Sequence, residues 1–496
     1  MIPAMEAGDI AARVIPPEVL RLVPFETARR CQLIPFELKA GKLLVASARP
    51  EDLSAMDDVG ILTGHELEVY EISAQALEDA LRRHYAQDAC CSAIPALAPA
   101  GEGGASAADG GRVVAAVDAL LSVAVERGAS DIHLEPQKER LYVRLRVDGI
   151  LNTVHAFPRS AQSAVLSRVK IMAGMDIAER RLPQDGQASF RAGPRDMDLR
   201  VSTLPGKYGE KIVVRILDKS GGALGLDRLG FDPATQGLLE AMIEAPHGII
   251  LVTGPTGSGK TTTLYSILRR LRSPLKNIIT LEDPIEYELL SGAGAQAEMG
   301  VTQVQIQSKI GLTFAAGLRA ALRQDPDVIM LGEIRDQETA EIAMKAAMTG
   351  HLVLSTLHTN DAPSALSRLR DIGVEPYLTA SALIGVLAQR LVRVLCADCK
   401  ERYRPPQRAL RNIFPERQDL DRAEFYRPRG CPRCSGTGYR GRAGIFELLE
   451  MNDELRASLR AGGAAGVPAG RRTMRQSGME LVFAGRTTVE EVLRTA

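Results

Sequence analysis

Gly254-Pro255-Thr256-Gly257-Ser258-Gly259-Lys260-Thr261 follows the apolar run Ile249-Ile250-Leu251-Val252 and precedes a helical pattern. Strand, glycine-rich loop and helix in that order make a P-loop, which implies binding of ATP or GTP. The glycines let backbone N–H groups curl around the phosphates, and Lys260 reaches the β and γ oxygens. Thr261, followed by Thr262, brings a hydroxyl for Mg²⁺ to the positive end of the helix. A chance match to so short a pattern would lack the flanking strand and helix.

A P-loop needs a second strand to manage the metal and the attacking water. Val328-Ile329-Met330-Leu331, followed by Gly332-Glu333, delivers a carboxylate to a strand's C-terminal end, where open α/β sheets bind their ligands. Glu333 is suited to act on the metal through water or to orient the nucleophile. Ile278-Ile279-Thr280-Leu281 ends likewise in Glu282-Asp283, with Glu286 close behind. Glu282 is the second candidate for polarising the water, and either glutamate could instead cap a helix. His358, after Ser355-Thr356-Leu357, is placed to meet the γ-phosphate or its water; a lone histidine is as readily a core or interface residue. His351 is a weaker candidate for direct contact.

At 496 residues the chain has room for roughly three or more compact units, at about 150 residues each. Lys plus Arg equals Asp plus Glu at 61 each, so no global field favours nucleic acid or an anionic membrane. Trp is absent and Phe and Tyr number ten each, which leaves the cores to aliphatic side chains and Met. No apolar run approaches the roughly 18 residues of a membrane span. Met1-Ile2-Pro3-Ala4-Met5-Glu6 has neither the basic start nor the apolar centre of a signal peptide. The expected location is therefore cytoplasmic, with any membrane attachment made through a partner.

Residues 1–86 mix strand alternation at Lys42-Leu43-Leu44-Val45-Ala46 with a helical period ending at Ala76-Leu77-Glu78-Asp79-Ala80-Leu81, as in a small α/β domain without catalytic chemistry. Residues 87–112, rich in Ala, Gly, Pro and Ser, read as a flexible linker. A second α/β unit over 113–221, PAS-like in outline, opens with a helix from Val113 to Arg127. The alternating strand Leu141-Tyr142-Val143-Arg144-Leu145-Arg146-Val147 and a turn at Asp148-Gly149 follow. From 222 to 390, strands at 249–252, 278–281, 328–331 and 352–356 alternate with helical patterns. That alternation predicts an α/β core, a parallel sheet with helices on both faces.

Of seven cysteines, four fall as Cys396-x-x-Cys399 and Cys431-x-x-Cys434, while Cys31, Cys90 and Cys91 show no ligand spacing. Paired C-x-x-C motifs in a cytosolic chain predict a closed tetrahedral Zn²⁺ site within a module at 391–445. A redox pair is the alternative, but neither motif has a thioredoxin-like context. Arg427, Arg429, Arg433, Arg440 and Arg442 nearby could attract acidic phospholipid or nucleic acid; a solvated loop face is the simpler reading. Residues 446–496 read as a helical C-terminal segment without chemistry.

Together these segments resemble the secretion ATPases of type II and type IV pilus systems. Gly254 to Thr261, Ile279 to Tyr287, Val328 to Asp336 and Gly350 to Ala362 are similar to that family's Walker A, Asp-box, Walker B and His-box segments. Ala129-Ser130-Asp131-Ile132-His133-Leu134-Glu135-Pro136, Arg146-Val147-Asp148-Gly149 and Arg200-Val201-Ser202-Thr203-Leu204-Pro205 resemble the domain preceding the ATPase core. The resemblance spans roughly residues 10 to 495. Pro24-Phe25-Glu26-Thr27-Ala28-Arg29-Arg30 and the four-cysteine module look most like the type II secretion members.

The resemblance implies a RecA-like P-loop ATPase core over 222–390, in a homohexamer at the cytoplasmic face of the inner membrane, where ATP hydrolysis drives pseudopilus assembly. It implies that the first domain grips the cytoplasmic part of an inner-membrane partner and that the core meets an inner-membrane platform protein. It also assigns Arg200 and Arg215 to positions that approach the phosphates when domains close, neutralising charge on the transferred phosphoryl group. Two departures stand out. Residues 289–301 look like an inserted surface loop, and Cys431 to Gly438 matches one copy of a zinc cochaperone's C-x-x-C-x-G-x-G unit. A single copy with a different partner pair argues against a cochaperone. A pilus-assembly ATPase shares the whole catalytic set and differs in cargo. A nucleic-acid motor tolerates the same motifs, but the neutral charge and the lack of basic, aromatic-rich segments count against it, and no nucleic-acid partner is expected. Intact Lys260, Glu282 and Glu333 argue against a scaffold that merely binds nucleotide.

Overall fold

The computed structural model describes residues 15–23, 25–39, 41–85, 107–193, 195–218, 224–289, 300–405, 423–461 and 471–496. Most of the expected linker and all but the edges of the expected insertion at 289–301 lie outside the described residues. The chain divides into two compact units. One comprises Met1–Leu217, Cys396–Glu401 and Arg427–Arg440; the other comprises Asp218–Leu395, Arg402–Tyr426 and Gly441–Ala496.

Among the described residues, the first unit contains α1 (Pro17–Leu22), α2 (Phe25–Arg30), β1 (Leu33–Lys39), β2 (Lys42–Ser47), α3 (Leu53–Thr63), β3 (Glu66–Glu71) and α4 (Ala74–His84). The three strands form one sheet in the order β1-β2-β3. Helix α5 (Ala107–Glu126) then starts earlier than the expected Val113 and runs through Gly110-Gly111. It is followed by β4 (Ala129–Pro136), β5 (Arg140–Val147), β6 (Ile150–Pro158), α6 (Arg159–Met172), β7 (Gln184–Ala192), β8 (Arg195–Gly206) and β9 (Gly209–Asp218). The six strands pair in the order β6-β5-β4-β9-β8-β7. Asp148 and Gly149 both have positive φ, 48° and 83°, the backbone of a two-residue hairpin turn between Val147 and Ile150. Alternation then decides the faces. Ile132, Leu134, Val143, Leu199, Val201 and Val214 pack with Leu120, Leu121 and Val165 of the two helices, which leaves Arg200 and Arg215 among polar residues on the other face.

The second unit contains α7 (Pro233–Ile243), β10 (Gly248–Thr253), α8 (Lys260–Leu271), β11 (Ile278–Glu282), β12 (Val301–Gln305), α9 (Phe314–Ala321), β13 (Val328–Leu331), α10 (Gln337–Met348), β14 (Leu352–Leu357), α11 (Ala362–Ile372), α12 (Pro376–Ala382) and β15 (Leu383–Leu395). Two short strands, β16 (Glu401–Tyr403) and β17 (Phe425–Arg427), precede β18 (Tyr439–Glu450), α13 (Asp453–Arg460), α14 (Met474–Phe483) and α15 (Val489–Thr495). A seven-stranded sheet runs β12-β11-β13-β14-β10-β15-β18. β10 pairs in parallel with both β14 and β15, and all six of its residues are buried. Ile249 and Leu251 enter the core on one face while Ile250 and Val252 enter a second core on the other, as expected of a parallel strand covered by helices on both sides.

The C-terminal helices are tied to this sheet through buried carboxylates. Glu447 of β18 accepts from the N–H of Ala362 and of Met474, at the first residues of α11 and α14. Glu491 is paired with Arg393 at 2.7 Å and Arg494 at 2.7 Å and is 2 % exposed. Burial alone would raise its carboxyl, but the hydrogen bonds from Arg393 and Arg494 prevail and hold it at about 2. The folded value lies below the ordinary 4.5, so this group's stabilisation is fully present above about 4.5 and is lost as pH falls toward 2. Glu491→Gln is therefore expected to cost on the order of 3 kcal/mol at neutral pH, a gap that shrinks below pH 4.5. The difference in urea midpoint between variant and parent across that range checks it.

Candidate nucleotide site and cysteine cluster

Three glycines give the loop after β10 its shape. Gly254, Gly257 and Gly259 have φ of 149°, 78° and 91°. The last two lie squarely in the left-handed region that side chains resist. A Cβ on Gly257 would meet nothing within 4 Å, so it faces the open concavity, whereas Gly254 and Gly259 press against Gln389. Helix α8 has Gly259 as its N-cap, with no side-chain cap, so its first N–H groups stay available to an anion. Ser258 Oγ is buried and has no hydrogen-bond partner among the described residues. An uncapped helix start, an orphaned hydroxyl and an open cradle all fit a phosphate chain.

Lys260 Nζ donates to the carbonyls of Gly254 at 2.8 Å and Pro255 at 3.2 Å. Burial pushes its ammonium below the usual lysine range, and the Glu333 carboxylate pulls it partly back. Thr253 Oγ1 accepts from Thr359 N at 2.9 Å, which joins the loop's entry to the segment after β14.

Glu333 follows β13 and is brought together with Arg335 and with His358, whose Nε2 lies 3.4 Å from its carboxylate. Burial alone would raise Glu333, but Arg335 and then His358 hold it below the ordinary carboxylate range. Glu282 is placed differently. It is 3 % exposed, and its carboxylate accepts from the hydroxyl of Tyr265, from Thr280 Oγ1 at 2.6 Å and from Gln303 Nε2 at 3.2 Å. Thus Glu333 shares an electrostatic site with Lys260, while Glu282 is engaged by α8 and β12. His351, by contrast, has its Nδ1 3.0 Å from the Ala346 carbonyl, a structural contact.

In the first unit, Arg200 and Arg215 line one cavity of about 400 Å³ with Asp185, Gln187 and Ser202, and Arg215 Nε donates to Asp131 at 3.2 Å. In the same unit Cys396, Cys399, Cys431 and Cys434 converge, their sulfurs within 4.8 Å of one another. Three of the separations are 3.7, 3.8 and 3.7 Å. A zinc–sulfur bond of about 2.3 Å gives a tetrahedral edge of about 3.8 Å, so the donor set fits zinc. Two of the surrounding arginines are neutralised locally, Arg427 by Glu401 at 2.6 Å and Arg433 by Asp398 at 3.0 Å, which diminishes any field toward acidic lipid. Among the described residues, no helix is long and apolar enough to cross a membrane.

Sequence reasoning missed Gln389, Arg335 and Tyr265. Gln389 carried a signal, an amide directly after the apolar stretch Leu383–Ala388.

A parallel sheet with a P-loop after β10, a glutamate after β13 and a histidine after β14 defines a P-loop ATPase. A family model described as type II/IV secretion system protein matches residues 106–494, and an MshEN domain model matches residues 4–89. The chain belongs to the type II/IV secretion system protein family. It is 44 % identical over 508 residues to type II secretion system protein E of Pseudomonas aeruginosa, covering 98 % of each chain. It is 41 % identical over 517 residues to type IV pilus assembly ATPase PilB of Myxococcus xanthus, covering 99 % of this chain and 88 % of that one. The solved ATPase DotB of Legionella pneumophila shares the fold with a TM-score of 0.56 at 21 % identity, covering 76 % of this chain and 94 % of that one.

Proposed function

We propose that this chain hydrolyses ATP as a homohexamer to drive pseudopilus assembly and protein export in type II secretion. The observation that carries the reading is the joint placement of Lys260, Glu333 and His358 around an uncapped P-loop helix, in a chain matching its Pseudomonas aeruginosa relative along 98 % of its length. The loop N–H groups and Lys260 bind the phosphates. Glu333, kept anionic by Arg335 and His358, orients the attacking water, with Glu282 as the second carboxylate. Arg200 and Arg215 neutralise charge on the transferred phosphoryl group when the domains close. Thr261 would hold Mg²⁺, which supplies charge neutralisation when bound, and the four cysteines would hold a structural Zn²⁺.

The first domain, matched by the MshEN model, docks on the cytoplasmic part of an inner-membrane partner, and this attachment holds the ATPase at the cytoplasmic face, where its core meets the inner-membrane platform protein. The likeness to PilB supports a second reading, pilus assembly, with the same chemistry and pilin as cargo. Calorimetry of the full chain against the cytoplasmic domains of the inner-membrane partners from both machines separates them. Micromolar or tighter binding to the type II partner, at least about tenfold over the pilus partner, is expected. The reverse preference assigns the chain to pilus assembly.

A further inference from the structure

We propose that Gln389 of β15 is a positioning residue of the nucleotide site, holding the phosphate-binding loop open from behind. This rests on the reading of Gly254–Thr261 as that site. Gln389 is 2 % exposed in a strand that pairs with β10, with Ala388 opposite Thr253, so it lies directly beneath the loop's entry. Its Nε2 donates to the Ser258 carbonyl at 2.7 Å, and its Oε1 accepts from Thr263 Oγ1 at 2.7 Å. A single planar amide thus ties the loop to the first turn of α8.

The consequence follows from the geometry of a trans peptide, in which the C=O of one residue and the N–H of the next point in opposite directions. Drawing the Ser258 carbonyl toward β15 turns the Gly259 N–H away from β15, to the loop's other side. The absence of Cβ atoms belongs to the same device. A side chain on Gly254 would collide with the backbone carbonyl of residue 389, and one on Gly259 would come within 2.9 Å of Gln389 Nε2. Both ends of the loop are therefore packed on this residue.

A buried amide is costly unless both of its polar ends are paired, and here both are. Leu387 and Ala388, just before it, are fully buried apolar residues, so the strand itself could accommodate an aliphatic side chain at this position. Among the described residues the amide's two bonds go to the loop and its helix, which points to loop geometry rather than strand stability as its role.

The test is carried out on the full chain with Gln389→Met, which keeps length and approximate volume and removes both bonds, and with Gln389→Glu. The glutamate keeps an acceptor for Thr263 and loses the donor to Ser258. Affinity is read with a fluorescent ATP analogue, alongside the rise in unfolding temperature that ATP gives each variant. Both variants are expected to bind the analogue at least roughly tenfold more weakly and to show a smaller ATP-induced rise, with KM moving more than kcat. The rise is measured against each variant's own midpoint, so general destabilisation does not mimic the effect. An affinity within twofold of the parent in the Met variant, with an undiminished rise, overturns the proposal whatever happens to its midpoint. If the parent chain itself fails to bind the analogue, the underlying assignment of the loop falls instead, and the role given to Gln389 falls with it.

Discussion

Glu333→Gln is expected to leave ATP binding within about threefold of the parent while turnover falls by roughly 10² to 10³. The substitution is nearly isosteric and removes only the anion. In the folded chain that anion is stabilised by Arg335 and His358, so it is present at neutral pH without help from substrate. Binding depends on other groups, the loop N–H groups and Lys260, so Lys260→Ala should instead remove binding. An orienting carboxylate contributes chiefly in the transition state, which is why the loss should appear in kcat rather than in affinity. Steady-state hydrolysis and equilibrium binding measured on the same preparation decide the matter, and parental turnover in the Gln variant would refute the role given to Glu333. A large loss of both turnover and affinity would show that Glu333 holds the bound nucleotide itself.

The candidate nucleotide end of the sheet was legible where its geometry is encoded in consecutive residues. Gly257 and Gly259 have to be glycine because of the backbone they adopt, and Glu333 is recognisable because an apolar strand ends one residue before Gly332. The hairpin at Asp148-Gly149 was legible for the same reason, since positive φ at two successive positions selects that dipeptide. What escaped was set by pairing at a distance. Gln389 lies 131 residues from its Ser258 partner, and only the β10–β15 register brings them together. The Tyr265–Glu282–Gln303 cluster likewise depends on α8 crossing β11 and on β12 joining the sheet's edge, which no local period reveals. The two glutamates looked equivalent in sequence because each follows an apolar strand; the buried donors around Glu282 are what distinguish them. The C-terminal segment looked inert because Glu447 acts through helix starts and Glu491 through Arg393, both far along the chain.

Cys434→Ser is expected to reduce bound zinc from about one ion per chain to less than about a tenth of that, and to open the turn around residues 431–438 to proteolysis. The effect should be large because a structural zinc can contribute on the order of 10 kcal/mol to the segment that binds it. The Cys434 sulfur is held in place by the N–H of Cys431 and of Gly438, from which it accepts at 3.1 Å each. These bonds fix the direction in which the sulfur's lone pairs point. Serine keeps the size of the side chain but offers zinc a poor ligand, so loss of metal without gross loss of volume isolates coordination from packing. Metal analysis of protein purified without chelator, with a thiol titration before and after denaturation, separates the two chemistries that paired C-x-x-C motifs allow. Zinc, with all seven thiols of the chain titratable after denaturation without reductant, supports the closed site. No metal, with disulfides that titrate only after reduction, would mean that the 3.7 to 3.8 Å separations mark a redox cluster instead. A closed four-sulfur site leaves no open position for water, so its metal would act on the fold of the module and not on the hydrolytic chemistry.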